Sequence, residues 1–180
     1  MEKCIIKTWE HIYQEWFGLK KDFSKIIIPK KYDPQKYFVV IVAKGLTYKQ
    51  VILSMHKKFR VSLKFDELFN RSFQDDDRSA DNNDYLVLFN RRIEADEELK
   101  LLTSEQLEDM GHKGITLFER LLLEVFYFNE TREHLDCKKK TICTGSGRHL
   151  IYWSGIDGIL VLDWTYDAGY EWCRPRTAIF

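Results

Sequence analysis

Residues 150–172 read LIYWSGIDGILVLDWTYDAGYEW. Leu160, Leu162 and Trp164 alternate with Val161 and Asp163, the period of a strand with one apolar face and one mixed face. WSGIDG ahead of it supplies the glycines of a hairpin turn, and RTAIF at 176–180 reads as a last strand. The composition changes with this stretch. All 18 lysines precede residue 141, while the last forty residues hold three of the five tryptophans, three of the nine tyrosines and five of the nine glycines. The tail is therefore a set of short aromatic strands and turns, and the depletion of lysine in strands accounts for part of the contrast.

Upstream, the period lengthens to that of helices. LFERLLLEVFYF is apolar over most of a helical circumference, and Thr116 with Glu119 has the capping-box spacing, which predicts a central helix over 116–133. Thr47 with Gln50 opens a second helix over 48–59, whose inner face is Val51, Met55 and Phe59. Thr103 with Gln106 opens a small one. Trp9, Ile12, Tyr13, Trp16 and Phe17 before Gly18 predict a helix over 8–17, which could serve as a docking element, and IIIPKKYDP reads as a linker. KYFVVIVAKG at 36–45 and YLVLFN at 85–90 read as strands. Strand, helix, strand, helix, then several strands is an α+β order.

The 180 residues are enough for one domain with a substantial core. The expected organisation is an N-terminal helical appendage and linker over 1–34 and a domain over 35–180. Net charge is zero, with 25 basic and 24 acidic residues up to 140 and 3 and 4 after it. No basic field points to nucleic acid. Neither a secretion signal nor a membrane-spanning run is apparent. Cys4, Cys137, Cys143 and Cys173 form no C-x-x-C pair or disulfide framework, so a reduced, cytoplasmic location is the default expectation.

Chemical motifs are sparse. From Asp75 a calcium loop fails in register, with Ala80 at its sixth position and Leu86 at its twelfth. His134, Cys137 and Cys143 lack a fourth zinc ligand unless His149 supplies it. TGSG at 144–147 has no Lys and no helix after it, so it reads as a tight turn. Glu94, Asp96, Glu97 and Glu98 read as a solvated helix start. There is no nucleophile elbow and no H-E-x-x-H. The expectation is a protein that is not an enzyme, without cofactor or metal.

GSGRHLIYWSGIDGILVLDW followed by RPRTAIF resembles the C-terminal variable region of target proteins diversified by retroelements. In those families a G-S-R-like turn precedes a V-x-W hairpin, an L-x-V-x-W strand and a terminal R-x-R-x-A-V. Ile151-Tyr152-Trp153, the strand Leu160 to Trp164, and Arg174-Pro175-Arg176-Thr177-Ala178-Ile179 occupy those places here. Gly147 and Pro175 depart from the pattern. EADEELKLLTSEQLEDMGHKGITLFERLLLEVFYF also resembles the scaffold part of uncharacterised microbial proteins with such tails.

The resemblance implies a C-type-lectin-like fold with paired terminal strands, two flanking helices (48–59 and 116–133) and a small antiparallel display sheet, the variable region covering about 143–180. YFVVIVA would then pair with TAIF. It further implies a ligand-binding protein whose partner is a macromolecular surface, expected to be a protein. The candidate contact positions are Tyr152, Ser154, Ile156, Asp157, Val161, Asp163, Tyr166, Asp167, Gly169 and Tyr170, a Tyr-, Asp- and Gly-rich set suited to adaptable recognition. Leu160, Leu162, Trp153, Trp164 and Ala178 would be fixed core. Adenine-directed diversification of Asn codons cannot produce Lys, Glu, Gln, Met or Trp, which fits a tail without Lys, Gln or Met and makes its one Glu and three Trp fixed scaffold positions. The calcium-binding loop motifs of sugar-binding relatives are missing. The alternatives from other classes are a non-diversified structural or protein-interaction module and a small enzyme.

Overall fold

The computed structural model describes residues 2–64, 78–146, 149–164 and 172–180. They form an α+β fold around one principal core. Helix α1 (Glu2–Phe17) leads into strand β1 (Tyr37–Val42), helix α2 (Tyr48–His56) and strand β2 (Arg60–Leu63). Strand β3 (Tyr85–Asn90), helix α3 (Ser104–Asp109), strand β4 (Lys113–Gly114) and helix α4 (Leu117–Thr131) follow. The C-terminal part is all strand: β5 (Lys140–Cys143), β6 (His149–Ser154), β7 (Ile159–Trp164), β8 (Cys173–Pro175) and β9 (Thr177–Ala178). Among the described residues no helix is long and apolar enough to cross a membrane.

Three helices begin where the spacing predicts. Thr47, Thr103 and Thr116 each accept a hydrogen bond from the backbone N–H three residues on, and the side-chain oxygens of Gln50, Gln106 and Glu119 accept one from the cap backbone N–H. Two orphan donors are satisfied at each start, so the helix direction is set before any tertiary contact forms. α4 is buried along Leu117 to Tyr127 and packs on β1, with Phe38 edge-on to Phe126 and Tyr127. It stops at Arg132 in the left-handed conformation, φ 63°.

α1 is built into the core rather than appended to it. Trp9, Ile12 and Tyr13 are fully buried, Trp16 nearly so, and all belong to the cluster that holds β1 and α4. Trp9 and Trp16 are thus not available as a docking element. Gly18 at φ +68° ends the helix, with Leu19 donating back to the Tyr13 carbonyl. Trp9 Nε1 donates to the Val39 carbonyl at 3.0 Å, and Tyr13 donates to the Ile41 carbonyl at 2.9 Å while accepting from Ala43 N at 2.8 Å. These side chains satisfy one edge of β1.

The resemblance implies that YFVVIVA pairs with TAIF. Instead β1 pairs antiparallel with β3, Val39 opposite Leu88, and Ile179 pairs with the far edge of Leu88 through bonds of 3.0 and 2.9 Å. The terminal segment therefore reaches β1 only through β3, because α1 has already used the other edge. β9 pairs with β4, Lys113 opposite Ala178.

The remaining strands form a five-stranded sheet in the order β2-β7-β6-β5-β8. β6 and β7 make the expected hairpin, Tyr152 opposite Val161. β2 was not foreseen as a strand and runs parallel to β7, Ser62 beside Val161. Pro175 sits on β8, at the sheet's edge, where its missing N–H costs no ladder bond.

The acidic stretch at 94–98 is only partly solvated. Asp96 is fully buried, accepting from Thr177 N and Oγ1 and from Asn90 Nδ2, while the Glu94 carboxylate accepts the Lys138 and Lys139 amides. Asp75, Asp76 and Asp77 lie outside the described residues.

Candidate display face

One face of the five-stranded sheet belongs to the core through Ile151, Leu160 and Leu162. By alternation the opposite face carries Ser62 on β2, Val161 on β7 and Tyr152 on β6, a row that the strand registers align. Lys140 on β5 extends it, its ammonium 4.3 Å from the Tyr152 ring centre, and Cys173 on β8 stands beside Lys140. One residue row away lie Asp163, Leu150 and Ile142, with Leu150, Ile142 and Cys173 forming a small apolar cluster of their own.

The hairpin tip, 155–158, stands clear of the sheet. Ser154 Oγ donates to Asp157 Oδ2 at 2.6 Å and accepts from Asp157 N at 3.4 Å, an arrangement that closes the turn. Gly158 has φ +59°, the left-handed backbone that glycine adopts without steric cost. Ile156 is completely exposed. Arg60 Nη1 donates to the Asp157 carbonyl at 3.0 Å and ties the tip to β2.

Of the ten candidate contact positions, Ile156 and Asp157 are exposed, and Tyr152, Ser154 and Asp163 are half-buried. Val161 does not belong with them: it is 5 % exposed. In the sheet it is flanked by Ser62 on β2 and Tyr152 on β6. Tyr166, Asp167, Gly169 and Tyr170 lie outside the described residues. Among the expected core positions Leu160, Leu162 and Ala178 are buried, and Trp153 is half-buried. Trp164 is 52 % exposed, a correction that follows from its place at the end of β7 beyond the core.

Beneath the sheet lies a polar frame. Arg120 donates to Asp136 Oδ2 through Nε and Nη2 at 2.9 and 2.7 Å and to Glu124 through Nη1 at 2.8 Å. Arg176, from the R-x-R motif, donates to Asp136 Oδ1 at 3.0 Å and to the Arg92 and Ile93 carbonyls. All four charged side chains are fully buried, two of each sign. Burial alone would depress the Arg120 pKa, but the Asp136 and Glu124 carboxylates outweigh it and raise it.

The frame reaches the hairpin at two points. The Asp136 carbonyl accepts Trp153 N at 3.2 Å, and Glu124 holds His134 Nδ1 at 2.8 Å while the His134 ring stacks on Trp153 with centroids 3.4 Å apart. Charged residues at 120 and 124, four apart within an otherwise apolar run, are the sequence signal that could have exposed it.

His134 is thus committed to Glu124 and Trp153, and Cys137 Sγ donates to the His134 carbonyl at 3.2 Å. Burial pushes the Cys137 and Cys173 thiols up, away from the reactive thiolate. Among the described residues no group of three or more His, Cys, Asp or Glu is placed to hold a metal ion. In the turn Thr144–Ser146 the Gly145 amide donates to the Ile115 carbonyl, inward. Gly147 lies outside the described residues.

No protein-family model matches the chain, and no curated protein or solved structure matches it significantly.

Proposed function

We propose that this protein is a ligand-binding protein whose β6–β7 hairpin and the tail after it form a retroelement-diversified surface, on a C-type-lectin-like scaffold, for a macromolecular target. The observation that carries the reading is the division of the tail. Arg174, Arg176, Leu160 and Leu162, within the stretches that match the variable-region pattern, are buried. The intervening candidate positions Tyr152, Ser154, Ile156, Asp157 and Asp163 keep accessible surface. Substitution is cheap in the second set and costly in the first. Tyr152 brings a large amphipathic surface at low entropic cost, and Ser154, Asp157 and Asp163 bring adaptable polar contacts to a protein partner.

Non-enzymatic recognition is favoured because the cluster of Arg120, Glu124, Asp136 and Arg176 is internally neutral and sealed from solvent, so it braces the sheet rather than meeting a substrate. The test is genetic. The DNA around the coding region should hold a near-copy of the segment for about 143–180 beside a reverse transcriptase gene. Mismatches should fall at template adenines, in the codons of Tyr152, Ser154, Ile156, Asp157, Asp163, Tyr166, Asp167, Gly169 and Tyr170. Codons for Leu160, Val161, Leu162, Arg174 and Arg176 should match the template. A repeat that is missing, or mismatches spread over both groups, overturns the reading.

A further inference from the structure

We propose that the cleft between α2 and β2 is a constant subsite for carboxylates of an acidic protein ligand, placed beside the candidate display face. The inference rests on the display reading of the neighbouring hairpin. The chain leaving α2 reads HKKFR over 56–60 and, with Val61 and Ile159, lines a cleft of about 480 Å³. His56, Lys57, Lys58 and Arg60 are exposed. Among the described residues no carboxylate lines the cleft; Glu15 approaches from α1, and it pairs with Lys58 at 3.0 Å. Arg60 spends one N–H on the Asp157 carbonyl, a neutral acceptor.

On a chain of zero net charge this is a local positive field, within a Debye length of the hairpin tip. Such a field speeds encounter with an acidic surface and orients it. The cleft also offers apolar surface, from Phe59, Val61 and Ile159, on which the stem of a Glu side chain can lie. A nucleic-acid strand fits less well, since it repeats its charge along a track and needs a line of cations to follow it. Here the described lining cations are gathered at one cleft, and the hairpin tip beside it carries the Asp157 carboxylate. Residues 56–60 lie outside the tail, so every variant of the display face would keep this anchor, and the tail would choose among acidic partners.

The experiment uses the full chain, isotopically labelled, with a hexaglutamate peptide at low salt, and reads backbone amide shifts. The expected result is shifts at 56–61 and at 159, with binding weakened about ten-fold or more by Lys57→Glu or by raising NaCl from about 20 to about 500 mM. Lys57 is exposed, and its dispersed spectrum in the variant reports that the fold is kept. Arg60→Glu should act in the same direction. Shifts confined to other surfaces, unchanged binding by Lys57→Glu, or tighter binding of a hexadeoxyadenylate than of the peptide would each overturn the subsite. If the template repeat is present and the cleft is silent, the subsite alone fails. If the peptide binds in the cleft and no repeat exists, the subsite's chemistry stands and the diversified display fails.

Discussion

Arg176 Nη2 and Asp136 Oδ1 meet at 3.0 Å with no exposed surface on either side chain. The contact joins the end of the chain to the connection between α4 and β5, forty residues earlier. Asp136 adopts φ 55° there, a left-handed backbone that Asp tolerates better than most residues. Its carboxylate takes Arg120 and Arg176, and its carbonyl takes the Trp153 amide.

Removing one partner of such a pair strands the other charge in a fully buried site. Asp136→Asn should therefore destabilise the protein by about 3–5 kcal/mol, and Arg176→Met by a comparable amount. Denaturant unfolding followed by circular dichroism measures both. A cost below about 1 kcal/mol for each would mean that the frame does not hold the sheet.

Val161 and Ile156 separate core from display within one hairpin. Val161→Ala should cost about 1.5–3 kcal/mol, since the buried side chain loses its packing between Ser62 and Tyr152. Ile156→Ala should stay within about 0.5 kcal/mol, because the side chain is wholly exposed. Melting curves of the two variants, side by side, give the answer.

Gly114 has no room for a methyl group. A Cβ there would stand 1.6 Å from Thr144 Oγ1, and both residues sit where β4 meets the turn Thr144–Ser146. Gly114→Ala should destabilise by about 1–3 kcal/mol through overpacking, read from the shift in unfolding midpoint. Combining it with Thr144→Ala should recover part of that loss.

Glu15 gives a pH dependence. The hydrogen bond from Lys58 Nζ, against an opposing desolvation, holds the Glu15 carboxyl below the ordinary carboxylate value. A group whose folded pKa is depressed contributes stability that is fully present above its unfolded pKa and is lost as pH falls through the folded one. At about pH 6 wild type should exceed Glu15→Gln by up to about 1 kcal/mol, and below about pH 3 the difference should vanish. Thermal unfolding of both proteins across that range checks the sign.

The local code of this chain was legible. Thr47, Thr103 and Thr116 with their partners three residues on announce helix starts because both bonds of a capping box close within one turn. The alternation at 160–164 and the glycines at 155 and 158 likewise specify the hairpin, whose contacts are all near in sequence. The partners of the strands were not legible, because an edge accepts whichever segment arrives with its hydrogen-bonding groups free. Trp9 and Tyr13 occupy one edge of β1, the strand that the terminal segment was expected to join, so Ile179 pairs with β3. β2 reaches β7 from about a hundred residues away, and Val161 on β7, which alternation alone assigns to the mixed face, is buried. Asp136 and Arg176, forty residues apart in sequence, are brought together only by the tertiary fold. Propensity and capping act within a few residues, whereas edge occupancy and charge pairing are settled by the packing of the whole chain.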